Sequence, residues 1–125
     1  ATLRAGTSIG SFGLRAEDTI YANRRLSGNV RVVSVSLTRM RANPANVPSG
    51  TVSSSVTLNA NPGGRTINWS VDAAGVTVTP NVTGPGPAAM TVTVTRPAGF
   101  TGSVTVTATD SVLATQTAST RIRFR

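Results

Sequence analysis

The chain has 125 residues, the length of one ordinary domain. It carries 12 Arg, no Lys, no His and no Cys against three Asp and one Glu, for a net charge of +8. Without imidazole or thiolate there is no ligand set for zinc, haem or an iron–sulfur cluster, no disulfide, and no base to activate a Ser, Cys or Lys nucleophile.

Residues 1–29 are glycine-rich, with Gly6, Gly10, Gly13 and Gly28 among scattered apolar residues: Leu3, Ile9, Phe12, Leu14, Ile20, Tyr21 and Leu26. This segment is too apolar for a solvated linker and too rich in glycine for a good helix or a long strand. It reads as an extended arm, with three roles open to it. It adds strands to its own domain, it frays, or it reaches a neighbouring subunit by strand addition. Leu3, Ile9, Phe12, Leu14, Ile20 and Tyr21 are the candidate assembly residues.

Residues 30–125 alternate with the period of a strand that is buried on one face. Val33, Val35 and Leu37 open the series, followed by Val56–Leu58–Ala60 and Ile67–Trp69–Val71. Val76–Val78, Met90–Val92–Val94, Val104–Val106–Ala108 and Ile122–Phe124 complete seven short strands. Turn chemistry separates them: Asn43-Pro44 and Pro48-Ser49-Gly50, then Asn61-Pro62-Gly63-Gly64, Ala74-Gly75, Pro80 with Gly84-Pro85-Gly86-Pro87, Pro97-Ala98-Gly99, and the polar stretch Ser111–Ser119. The pattern predicts an all-β, two-sheet antiparallel sandwich of about seven strands, with an open Greek-key barrel as the alternative. Trp69, Val71, Val92, Val106 and Phe124 are the expected core. No apolar run approaches the ~18 residues of a membrane span, so insertion into a bilayer is not expected.

The stretch from Val35 to Phe124 resembles the bacterial immunoglobulin-like domains of surface adhesins and phage virion proteins. The resemblance rests on the loop ending in Ser49-Gly50, on Val56-Thr57-Leu58-Asn59-Ala60, on Ile67-Asn68-Trp69-Ser70 and on Gly102-Ser103-Val104-Thr105-Val106-Thr107-Ala108. It implies an immunoglobulin-like sandwich and a non-catalytic role as spacer, adhesive tip or decoration. It implies no cofactor and no fixed functional residues.

Chemistry is sparse along the chain. Glu17 and Asp18 precede the sandwich, while Asp72 and Asp110 sit at strand ends and read as solvated turn residues. These last two are also the one pair able to meet at one end of a sandwich as a weak calcium site. No enzyme is expected. Arg39 and Arg41, and then Arg121, Arg123 and Arg125, alternate with apolar residues, which makes them a candidate anion-binding face. The competing reading is that they guard strand edges against aggregation. Nucleic acid is disfavoured as a partner, because five aromatics leave little for base stacking. The expected function is a structural subunit, decorating or filament-forming, of a virion or an extracellular cell-surface assembly. Its partners would be proteins, copies of itself included, reached through the arm. The alternative is an adhesive module that recognises an anionic glycan, envelope or protein through its arginines.

Overall fold

Thr and Val dominate the chain, and their branched side chains favour a pleated backbone over a helix. The computed structural model describes residues 10–17, 25–32 and 35–125, and every regular element among them is a strand. The chain divides into two compact units, Ala1–Ser34 and Val35–Arg125.

In the first unit, β1 (Gly10–Glu17) and β2 (Arg25–Val32) form a two-stranded antiparallel sheet, in register from Gly10 opposite Val32 to Glu17 opposite Arg25. Val30 and Val32 therefore belong to this hairpin, and the first strand of the sandwich starts at Ser36.

The second unit holds β3 (Ser36–Asn43), β4 (Asn46–Val47), β5 (Ser53–Asn61), β6 (Ile67–Val71), β7 (Thr77–Thr79), β8 (Val82–Thr83), β9 (Ala89–Thr95), β10 (Gly102–Asp110) and β11 (Thr117–Phe124). One sheet runs β4-β11-β10-β6-β8 and the other β3-β5-β9-β7. This is the strand order of an immunoglobulin-like sandwich, in which the chain crosses between the sheets at every step from β3 to β10 and then pairs β10 with β11 in one sheet. The seven expected strands are all present. Two additions, β4 and β8, are two-residue pairings inside stretches that read as loops. β4 exists because the chain leaves β3 and crosses to the other sheet, where it lies parallel to the end of β11.

The core fills the space between the sheets. Val56, Leu58, Val92 and Val94 come from one side and Ile67, Trp69, Val104, Val106, Ile122 and Phe124 from the other, all buried. Val71, at the end of β6, is half-buried against this cluster. In β3 the alternation shifts phase: Val35 and Leu37 face inward, then Met40 and Ala42 do. Thr38 pairs with Asn59 and Arg41 with Thr57, so Arg39 and Met40 together oppose Leu58. Arg39 takes the left-handed backbone at φ 53°, which absorbs the extra residue of this bulge.

Candidate functional site

Two polar clusters anchor opposite ends of the sandwich, and both are built from charged residues on core-facing positions. At one end Asp110 closes the inward series Val104–Val106–Ala108 and is 1 % exposed. Arg65 donates to it through Nε (2.7 Å to Oδ2) and Nη2 (2.5 Å to Oδ1). Oδ1 also accepts the backbone N–H groups of Val112 (3.0 Å) and Leu113 (2.9 Å). These donors, the Arg65 bond foremost, hold the carboxyl well below its ordinary range, at about 2, and the Arg65 guanidinium is raised in turn. The cluster fixes the turn after β10 and leaves Val112 at its tip 77 % exposed.

Asp110 is thus a buried structural anchor, which corrects its reading as a solvated turn residue. The adjoining loop is held just as closely. Gly84 has φ +93°, and a Cβ there would overlap the Arg65 carbonyl oxygen.

At the other end Arg96 continues the inward series Met90–Val92–Val94. Its Nη1 donates to the carbonyls of Phe100 (2.9 Å) and Arg125 (2.8 Å), and its Nη2 to those of Pro48 (3.1 Å) and Thr51 (2.6 Å). The guanidinium carbon lies 5.2 Å from the Phe124 ring centroid, and Phe100 meets the same ring edge-on at 6.0 Å. Beside this hub an open cleft of about 320 Å³ is bordered by Gly50, Val52, Pro97, Phe100 and Arg125. Both terminal nitrogens of Arg96 are taken up by backbone, so the hub itself is structural.

Asp72 is exposed and lies beyond the end of β6 opposite to the one that faces Asp110. Five residues separate it from Ile67, about 17 Å of strand, so Asp72 and Asp110 do not meet and cannot share a cation. Among the described residues no group of three or more His, Cys, Asp or Glu side chains comes together. Asp72 accepts the Thr105 N–H at 2.7 Å, and this bond, with Arg121 nearby, lowers its pKa.

The arginines of the candidate anion-binding face divide between two places. Arg39 and Arg41 are exposed on β3, an edge strand of the four-stranded sheet. Arg121, Arg123 and Arg125 are exposed on the outer side of β11 and its end, alternating with buried Ile122 and Phe124. Of the assembly residues, Phe12 and Leu14 lie on β1 opposite Val30 and Gly28. Leu3, Ile9, Ile20 and Tyr21 lie outside the described residues. Arg96 and the Arg65–Asp110 pair escaped the sequence reading, although a signal was there. Extending each alternating series by one more step of two places Arg96 and Asp110 inward.

No protein-family model and no curated protein matches the chain. Among solved structures, the D00-D0 domain of Intimin is similar over 100% of this chain and 68% of its own, at 17% identity and a TM-score of 0.61. The S-layer protein SbsC domains 4 and 5 align with 79% of this chain and 58% of theirs, at 23% identity and a TM-score of 0.44. The Intimin likeness and the strand order of the two sheets establish an immunoglobulin-like β-sandwich, the architecture that the sequence resemblance implied.

Proposed function

We propose that the chain is a non-catalytic structural module of an extracellular assembly on a cell surface or virion, joined to its neighbours through residues of the first unit. The observation that carries this reading is the two-stranded sheet β1–β2, which among the described residues shares no strand pairing with the two sheets of the sandwich and belongs to a compact unit of its own. A two-stranded sheet alone is at best marginally stable in water, and among the described residues each of its strands has one neighbour only, which leaves an edge for a further strand. The apolar residues proposed for such a contact are Leu3, Ile9, Phe12, Leu14, Ile20 and Tyr21. A non-catalytic role is supported by the use made of the two acids of the sandwich: Asp110 accepts four hydrogen bonds, and Asp72 accepts one from the Thr105 backbone.

The test is deletion of residues 1–34, which leaves the sandwich core intact. The shortened protein should unfold cooperatively and sediment as a monomer, while the intact chain associates with rising concentration. An intact chain that stays monomeric throughout, or a deletion that cannot fold, overturns the reading. A second reading, an adhesive module recognising an anionic glycan, envelope or protein through its arginines, is supported by the exposure of Arg39 and Arg41 on β3 and of Arg121, Arg123 and Arg125 at β11.

A further inference from the structure

Exposed arginine on the sandwich is confined to two strands, β3 and β11. Of the seven arginines in Val35–Arg125, Arg65 is bonded to Asp110 and Arg96 is buried. The remaining five lie on β3 and at β11, and the other strands present outward Ser, Thr and Asn. Thr57, Thr91, Thr93, Thr77 and Thr79 cover one sheet and Asn68, Ser70, Ser103 and Thr105 the other. Either edge protection or recognition can place arginine on a strand, and the pairing separates the two.

A guarding charge is useful only where a backbone edge is open. That holds for Arg39 and Arg41 on the edge strand β3. It does not hold at the end of β11. Arg123 has Ser103 of β10 on one side and Asn46 of β4 on the other. Its N–H donates to the Ala45 carbonyl at 2.8 Å, and the Arg125 N–H donates to the Val47 carbonyl at 2.9 Å. The edge is filled there, and two exposed guanidinium groups remain to be explained.

We propose that Arg121, Arg123 and Arg125 form a docking row for a polyanionic glycan laid along β11. This narrows the second functional reading and rests on it. Alternate residues of a strand are about 6.6 Å apart, so the row presents three planar, five-donor groups in a line. Each binds a carboxylate or sulfate in a fork of two hydrogen bonds. The strand neighbours of the row are neutral hydrogen-bonding groups suited to sugar hydroxyls, and the one carboxylate near it, Asp72 beside Arg121, leaves Arg123 and Arg125 as its stronger anion sites. Ser103 lies opposite Arg123, Thr105 opposite Arg121, and Asn46 is on the far side of Arg123. No aromatic side chain lies on the outward positions of β11, β10 or β6. That lack favours a glycan over single-stranded nucleic acid, which depends on stacking platforms.

The test uses the intact protein and three probes: polygalacturonate, neutral dextran and an oligothymidylate. Two double variants lose the same charge, Arg121→Gln with Arg123→Gln, and Arg39→Gln with Arg41→Gln. Polygalacturonate should bind the parent at about 50 mM salt and weaken as salt rises, while dextran should not bind. The β11 pair should lower affinity about tenfold and reduce the salt slope by about 0.7 per arginine. The β3 pair, equal in charge, acts on the ligand only through long-range attraction from the neighbouring edge strand and should cost clearly less than the β11 pair.

Equal losses from both pairs would show attraction by net charge alone and overturn the docking row. Tighter, β11-dependent binding of oligothymidylate would make the partner a nucleic acid and overturn the glycan. Absence of binding to either polyanion would remove the second functional reading itself. Trp69 fluorescence during denaturation verifies that each variant is folded.

Discussion

At Trp69 a single side chain joins the two sheets. The ring is 5 % exposed, on a strand whose neighbour β10 places Ala108 opposite it, small enough to leave room for an indole. Its Nε1–H, which would be costly to bury alone, donates to Thr83 Oγ1 at 2.8 Å. Thr83 Oγ1 lies in turn 3.1 Å from Met90 Sδ on the opposite sheet. Without a disulfide, this packing is what holds the centre. Trp69→Ala should therefore cost about 3–5 kcal/mol in chemical denaturation, as large aromatic truncations in cores do. A loss below about 1 kcal/mol would mean that the ring contributes little to the core. Ser54 follows the same rule on a smaller scale, for its alternation forces it inward and its Oγ donates to the Pro44 carbonyl at 2.7 Å.

At the scale of elements, the strands were legible because period-two alternation states which face is buried, and the interior confirms it from Val56 to Phe124. What alternation cannot show is a change of phase or a change of sheet. The step from Leu37 to Met40 breaks the period, and only pairing with β5 reveals the bulge at Arg39. β4 is invisible for a different reason: two residues carry no period. The buried charges were missed because composition treats Arg and Asp as surface residues, whereas position on the strand decides.

Arg96 shows what such a residue does between elements. It ties the loop after β4, the turn before β10 and the end of β11 through four carbonyls. Arg96→Met keeps the bulk but leaves those acceptors without a donor, a loss of about 3 kcal/mol or more. Arg96→Lys restores the charge without the fork and should recover only part of it, as measured by denaturant unfolding followed at Trp69. Equal stability of all three proteins would show that the carbonyls are satisfied by water instead.

For the whole molecule, pH dependence follows from a short inventory. Between Val35 and Arg125 there is no His, Lys, Cys or Tyr, so the titratable side chains are two Asp and seven Arg. Nothing in the sandwich changes charge between about pH 5 and pH 10, and its stability should be flat there. Below that plateau Asp110 dominates. Its folded pKa of about 2 lies beneath the ordinary 3.8 of an unfolded chain, so the unfolded state takes up its proton first as pH falls. The stabilisation is complete above about pH 5 and is lost progressively as pH falls through 3.8 towards 2. The shift corresponds to about 1–2 kcal/mol once screening through the partly exposed Arg65 is allowed for. Asp72, also lowered, adds in the same direction but is exposed.

Unfolding of the intact protein, followed at Trp69, should therefore show a plateau and then an acid slope. Asp110→Asn should be less stable at neutral pH yet lose most of that slope. Arg65→Gln should keep the carboxylate but raise its folded pKa towards 3.8, so that the protein is less stable at neutral pH and its acid fall is smaller and ends at a higher pH. A slope unchanged in Asp110→Asn would assign the acid sensitivity to other carboxylates, Asp72 or those of the first unit, and remove Asp110 from the role given to it here.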